Sequence, residues 1–306
     1  MTSFPTGKGM YLWILDRLGS PATLVKSLKS AGIQWVAIKL QSGRLISDGR
    51  ASEEFEHENP DIYIKMLKDA GIAVHGWGYV YGKFESQVRL EIETAVKSFN
   101  RFKVDSWCIN AEVEYKTDKT PPELAELLVH GIRQSLPGVP LGYTTYRYPE
   151  YHKTFNWGPF VKYCDYASPQ IYWVGATNPA AQLDKCISQY RTIGSTVPVI
   201  PIGCAYSDNG WDPTPAQMHE FYSHVVDLNL LGWSWWEWKY IIDHPTWLSA
   251  ITAHAQPPNT GQDNPINSNT IEQVKDLATL IMMHAKDIVS EAEKLKSLVT
   301  ELERKG

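Results

Sequence analysis

Long apolar runs, clustered cysteines and stretches of a single charge are all missing from this 306-residue chain. No run of about 18 apolar residues occurs, so no membrane-spanning helix is expected. The 29 lysines and arginines are scattered among 34 acidic residues, for a net charge of −5. Without a basic run to displace counterions, nucleic acid is not expected as a partner. The four cysteines, Cys108, Cys164, Cys186 and Cys204, are widely spaced and form no CxxC pair. That spacing argues against a zinc site and for reduced, partly buried thiols, as inside a cell. HxH and HExxH clusters, a GxGxxG turn, a P-loop and a GxSxG elbow are absent as well. Metal, dinucleotide, nucleotide-phosphate and serine-hydrolase chemistry lack their usual carriers, and no cofactor is expected. The opening residues MTSFPTGKGMYLW lack the succession of basic stretch, apolar segment and cleavage site that marks a signal peptide. Cytoplasmic synthesis is the expectation, compatible with a phage- or lysis-associated role.

What is present is a globular composition, 43% hydrophobic and 21% charged. Over residues 1–254, short strand-like runs alternate with amphipathic helical stretches. The runs are 10–16 (MYLWILD), 35–41 (WVAIKLQ), 73–81 (AVHGWGYVY) and 106–114 (SWCINAEVE). They continue at 140–147 (PLGYTTYR), 166–174 (YASPQIYWV), 197–204 (VPVIPIGC) and 232–238 (GWSWWEW). Helical stretches such as 21–31, 60–70, 86–102, 122–136 and 215–228 lie between them, and Gly punctuates the passage into strand in SAGIQW, DAGIAV and NLLGWSW. Eight βα repeats in about 250 residues predict an α/β fold, a (β/α)8 TIM barrel. An open doubly wound sheet is the competitor, but the phosphate-type loop it would carry after its first strand is absent.

Residues 255–270, AQPPNTGQDNPINSNT, have almost no apolar side chains and read as a flexible linker. Residues 271–306 follow, with neither Pro nor Gly through residue 304. With Ile271 at heptad position a, the a positions are Ile271, Ala278, Ala285, Ala292 and Val299. The d positions are Val274, Ile281, Ile288, Leu295 and Leu302, so the whole seam is apolar. Thr270 and Gln273 resemble a capping box. This predicts an amphipathic, coiled-coil-like helix for homo-oligomerisation or docking, with packing onto its own barrel as the alternative.

Sites in such barrels form at the C-terminal ends of the strands. In 106–114, Trp107, Ile109, Ala111 and Val113 share one face, and Ser106, Cys108, Asn110, Glu112 and Glu114 share the other. Period-2 alternation places Asn110, Glu112 and Glu114 on the interior face, with the two carboxylates roughly 7 Å apart at Cβ. In a half-buried cleft like charges at that spacing push one pKa upward, which separates an acid from a base. The competing reading pairs one glutamate with an interior cation such as Lys39. Other strand ends add Asp16, Lys39 with Gln41, and His75 with Tyr79. Gln170 and Tyr172 share a face of the sixth run, and Glu237 shares one with Trp233 and Trp235 in the eighth. His75 alone reads as a core histidine rather than a ligand. The 12 Trp and 16 Tyr residues, several at strand ends, offer flat faces for sugar rings while carboxylates and amides bind hydroxyls. These groups point to a polysaccharide ligand, with Glu112, Glu114 and Asp16 as catalytic candidates. Asn110, Lys39, Tyr79, Gln170, Tyr172, Trp235 and Glu237 are the candidates for substrate contact.

In chain order, HGWGYVYGKFESQVRLEIETAVKSF, INAEVE, GYTTYRYPEYH, DYASPQIYW and GWSWWEWKY resemble strands of the family-25 glycoside hydrolases, the muramidase-type lysozymes. They are similar, more loosely, to chitinase-like barrels. The resemblance spans roughly residues 9–247 and implies a glycoside hydrolase, with peptidoglycan the leading substrate. INAEVE matches the family's DxE strand end in two registers, Glu112-Val113-Glu114 and Asn110-Ala111-Glu112. Glu112 belongs to both and is the implied general acid, with Glu114 as base or charge stabiliser. Asp16 matches the first-strand aspartate only approximately, because the DxSxxQ-like signature does not follow it. Asn110 cannot exchange protons but can orient an acetamido group or a water. The alternative is a non-catalytic glycan-binding or structural barrel that assembles through its C-terminal helix. Deletion of residues 256–306 is expected to change the oligomeric state seen by light scattering while the barrel stays folded. An unchanged number of chains per particle would contradict the assembly role.

Overall fold

Strands and helices alternate along residues 3–42, 53–54 and 57–254, the part of the chain that the computed structural model describes. In order they are β1 (Gly7–Leu12), α1 (Pro21–Ser30), β2 (Trp35–Ser42), β3 (Glu53–Glu54), α2 (Pro60–Asp69) and β4 (Ala73–Val80). Next come α3 (Glu85–Phe102), β5 (Trp107–Ala111), α4 (Pro122–Ser135), β6 (Leu141–Thr144) and α5 (Trp157–Tyr163). The series continues with β7 (Tyr166–Ala167), β8 (Gln170–Ile171), α6 (Pro179–Thr192), β9 (Ile202–Cys204) and α7 (Pro215–Asp227). It ends with β10 (Gly232–Trp236), α8 (Trp238–Ile241) and α9 (Pro245–Ala253). Proline opens α1, α2, α4, α6, α7 and α9, because its fixed φ and missing N–H suit the first helical position. Thr214 and Gln217 close a capping box on α7, and Ser20 caps α1. The chain divides into two compact units, Met1–Pro258 and Asn259–Gly306. The linker and helix expected at 255–306 lie outside the described residues.

Nine strands run parallel in the order β7-β6-β5-β4-β2-β1-β10-β9-β8, and β3 pairs antiparallel with β2. The two ends of that order are consecutive in the chain, separated only by Ser168 and Pro169. The Ser168 and Gln170 N–H groups reach the Tyr143 and Thr145 carbonyls at 2.7 and 3.1 Å. On the other side, Ile200 and Ile202 N–H reach the Ala167 and Pro169 carbonyls at 2.8 and 3.0 Å. β7 and β8 are thus one strand interrupted where proline has no N–H to give, and they draw the curled sheet into a TIM-barrel-like ring. Each predicted strand run contains observed strand, although β1 occupies Gly7–Leu12 rather than 10–16.

Alternation along each strand sorts its side chains into two cores. The outward set, including Met10, Leu12, Val36, Ile38 and Leu40, packs against Leu24, Leu28, Leu67, Val88 and Ala95 of the helices. The inward set is Tyr11, Trp35, Ala37, Trp77, Cys108, Tyr166, Ile200 and Ile202, with Tyr79, Tyr172 and Trp236 packed against it. Large rings fit inside because some inward positions carry no side chain. A Cβ on Gly9 would lie 2.0 Å from Trp35, and one on Gly142 would lie 2.1 Å from Tyr166. His75 belongs to this interior: its Nδ1 pairs with Ser106 Oγ at 2.8 Å, and burial pulls its pKa down to about 3. The filled ring is a floor rather than a pore, so ligands meet it only at its ends. All four cysteines are buried and unpaired. Among the described residues no helix is long and apolar enough to cross a membrane. Gly9→Ala is expected to destabilise the protein by about 1–3 kcal/mol through overpacking against Trp35. An unchanged urea midpoint would contradict that packing.

Candidate active site at the mouth of the barrel

β5 delivers the first site residues. Asn110 is its last inward-facing position and lies beside Tyr79 of β4 and Thr144 of β6. The strand then stops at Ala111. Glu112 takes φ −129° and ψ −131°, and Val113–Tyr115 turn as a short 3-10 helix. The alternation expected through residue 114 is therefore broken, and Glu112 and Glu114 do not share a strand face. Both carboxylates nevertheless point to the same mouth. Gln170 Nε2 donates to Glu112 Oε1 at 2.9 Å, and the Tyr79 hydroxyl donates to Glu114 Oε2 at 2.7 Å. Thr120 Oγ1 holds the turn by donating to the Glu114 carbonyl at 2.7 Å. Burial pushes the Glu112 carboxyl above its ordinary value and the Glu114 charge adds to this, while hydrogen bonds from Gln170 and Asn110 pull the other way. Burial and the neighbouring glutamates push the Tyr79 phenol far up, so it remains a donor. Tyr146 is bridged to Gln170, and its phenol is pushed up to about 12, chiefly by burial, with the Glu112 and Glu114 charges adding to it.

The opposite wall is built at the ends of β1, β2 and β10. Glu237 is 1% exposed; its Oε2 accepts the Trp13 N–H at 3.1 Å, and its Oε1 is buried without a hydrogen-bond partner. Burial pushes its carboxyl up to about 7. The Lys39 ammonium lies 5.4, 5.3 and 6.0 Å from the Trp13, Trp77 and Tyr79 rings. Burial pulls it down to about 8, against the attraction of Glu237. The interior cation is thus drawn toward Glu237. Trp236, joined to Glu237 by a cis peptide bond, lies 5.7 Å from both Tyr11 and Trp77 and 6.0 Å from Trp13. Burial, Tyr206 and then Glu112 hold the Tyr172 phenol high, with Glu237 contributing, and its ring lies 5.3 Å from that of Tyr206.

Asn110, Lys39, Tyr79, Gln170, Tyr172 and Glu237 are therefore gathered round Glu112 and Glu114, whereas two expected members are elsewhere. Trp235 faces outward, 5.3 Å from Phe221 of α7 and 5.8 Å from His254, because the inward positions of β10 are Ser234 and Trp236. Asp16 sits exposed in the short turn Leu15–Arg17, where its Oδ1 accepts the Glu58 N–H at 2.8 Å. β1 ends too early to bring it to the mouth. Gln41 also turns away and donates to the Glu91 carbonyl at 2.9 Å. Among the described residues no group of His, Cys, Asp and Glu is arranged to hold a metal ion.

No protein-family model matches the chain, and no curated protein matches it in sequence. Its fold is similar to solved glycoside hydrolases. A chitinase from Chromobacterium violaceum aligns with a TM-score of 0.57 at 11% identity, covering 80% of this chain and 98% of that one. The PgaB (BpsB) glycoside hydrolase domain from Bordetella bronchiseptica gives 0.58 at 11%, covering 82% and 99%. An endo-1,4-beta-mannanase from Rhizomucor miehei gives 0.56 at 12%, covering 77% and 89%. These neighbours support a TIM-barrel-like fold and do not bear specifically on the resemblance to the family-25 lysozymes. At such identities the likeness is one of fold.

One buried carboxylate escaped the sequence reading. Glu91 on α3 is fully buried; its Oε1 accepts from Tyr81 N–H at 2.6 Å, Gly82 N–H at 3.2 Å and Gln87 Nε2 at 3.3 Å. Its Oε2 accepts the Tyr115 hydroxyl at 3.0 Å. It ties the end of β4 to the turn after β5, the segments that carry Tyr79, Glu112 and Glu114. Its signal was its place on a buried helical stripe with Val88, Ala95, Ser98 and Phe102. Burial pushes its carboxyl from 4.5 up to about 7, against those donors. A folded-state pKa above the unfolded one stabilises the protein fully below pH 4.5, and the contribution is lost as pH rises to about 7. Glu91→Gln is expected to remove roughly 3 kcal/mol of the fall in unfolding free energy across that window. Urea unfolding that gives wild type and variant the same pH slope would contradict this.

Proposed function

We propose that the protein is a glycoside hydrolase that cleaves a polysaccharide at the barrel mouth, with Glu112 as general acid. The observation that carries this reading is the half-buried Glu112 carboxyl, paired with Gln170 and lying beside Glu114 and an aromatic floor, with its pKa raised. A general acid must be protonated at working pH and near the leaving oxygen, and burial next to a second carboxylate favours that state. Glu114, held by Tyr79, would act as base or stabilise the oxocarbenium-like charge or an acetamido-derived intermediate. Asn110 Oδ1 is buried without a partner and can accept an N–H or O–H from substrate. Lys39, Tyr79, Gln170, Tyr172 and Glu237 supply the remaining polar contacts, and Trp236 with Trp13 the flat surfaces. The fold neighbours, named as chitinase and mannanase, put chitin and β-mannan beside peptidoglycan as substrates to try.

Release of reducing ends from peptidoglycan, chitin oligomers and β-mannan tests the reading. Wild type is expected to release ends from one of them, and Glu112→Gln to lose activity on the order of 10²–10⁴-fold. Activity retained in Glu112→Gln would remove Glu112 from the mechanism, and no release by wild type would favour a barrel that only binds glycan. The pH profile carries a sign. kcat/KM should fall as pH rises through the Glu112 pKa, because the acid is then deprotonated. Glu114→Gln should move that limb to lower pH by removing a neighbouring negative charge. A limb that stays in place or moves up would contradict the pairing.

A further inference from the structure

The rim beside the acid pair carries cations and aromatic rings that the proposed chemistry does not use. Tyr146, bridged to the Gln170 that donates to Glu112, is stacked by His152 at 3.5 Å and 5°. The Lys116 ammonium lies 5.6 Å over the same ring. Along the loop after β6, the Arg147 guanidinium lies 4.9 Å over Tyr148 and also donates to the Tyr172 carbonyl and Gln182 Oε1. Lys185 of α6 stands between two rings, 4.7 Å from Tyr148 and 4.5 Å from Tyr151, and donates to the Tyr151 hydroxyl at 2.7 Å. Tyr151 is 63% exposed. Among the described residues none of Lys116, Arg147 and Lys185 has a carboxylate ion-pair partner. Glu150 of this loop accepts from Gln189 Nε2 at 3.0 Å, and its charge also acts on Lys185 without forming an ion pair with it.

A positive arc on a chain of net charge −5 is a local departure, and it adjoins two glutamates that would repel an anion. Ammonium and guanidinium groups held at these rings offer a partner for a negative substituent, and the exposed Tyr151 offers apolar surface beside them. Tyr146 belongs to both the mouth and the arc, so a chain lying across Glu112 continues onto the rim. We propose that this arc, from Lys116 through Arg147 to Lys185, binds a carboxylate-bearing sugar of the glycan next to the bond at Glu112. The inference rests on the hydrolase reading for calling that glycan a substrate, but its binding can be measured without turnover.

Titration calorimetry on the full chain tests it with hexagalacturonate, a hyaluronan hexasaccharide and neutral chitohexaose. At least one acidic oligosaccharide is expected to bind about ten-fold tighter than the neutral one, since partly exposed ion pairs contribute up to about five-fold each. Added salt should erase the advantage in wild type, which needs no variant. The double substitution Lys116→Gln, Lys185→Gln, with folding checked by circular dichroism, should erase it too. The proposal is overturned by neutral binding as tight as acidic, by an advantage that survives salt or the double substitution, or by no binding of either acid. Charge-selective binding without reducing-end release from any glycan would sink the hydrolase reading and leave this one standing.

Discussion

A ring of parallel strands has one interior, and how far that interior is filled decides where chemistry can occur. Here Trp35 and Tyr166 occupy the space that Gly9 and Gly142 leave open, and Tyr11 and Trp77 lie among them. Such rings bury large apolar areas and leave no channel. Everything polar on the inner face is thereby pushed to the ends. At one end His75 is neutral, its Nδ1 paired with Ser106 Oγ and its Nε2 buried without a partner. At the other, Asn110, Gln170, Lys39 and the glutamates collect above a floor of Tyr11, Trp77 and Trp236.

That floor also sets the electrostatics. Carboxylates above packed aromatic rings lose water on one side, and the protonated form gains. Glu112 and Glu237 both respond in this direction, from opposite walls. Their surroundings differ: Glu112 accepts only from neutral amides, whereas Glu237 feels the Lys39 charge. The mouth thus holds two carboxyls, one on each wall, whose protonated forms burial favours. The backbone between β4 and β5 is fixed from behind by Glu91, so the catalytic candidates rest on a buried hydrogen-bond network rather than on a free loop.

The strands were legible because fully buried parallel strands read as short apolar runs, and the proline-initiated helices α1, α2, α4 and α7 were legible almost to the residue, whereas α6 and α9 were not named. The site was legible where alternation held. Asn110, Tyr79, Gln170 and Tyr172 sit where period 2 puts them, at or beyond the strand ends. Alternation fails where a strand ends before its apolar pattern does. The run 106–114 continues to alternate in sequence, yet the ladder stops at Ala111, so Glu114 arrives through a turn. β10 misled in another way, since tryptophans stand on both of its faces and only Ser234 distinguishes them. Asp16 followed from a strand drawn past its true end. Glu91 was overlooked because a glutamate on an amphipathic helix is read as solvent-facing, although its place on the stripe of Val88 and Ala95 pointed inward and its partners lie in the segments after β4 and β5.

The central claim is that a glycosidic oxygen comes to rest at Glu112. A crystal structure of the Glu112→Gln protein with an oligosaccharide that wild type cleaves tests it most directly. The account predicts a sugar chain across the mouth, stacked on Trp236 or Trp13, with its scissile oxygen about 3 Å from the side chain at position 112. A chain bound away from the mouth, or one whose glycosidic oxygens all lie beyond hydrogen-bond reach of that position, would contradict it.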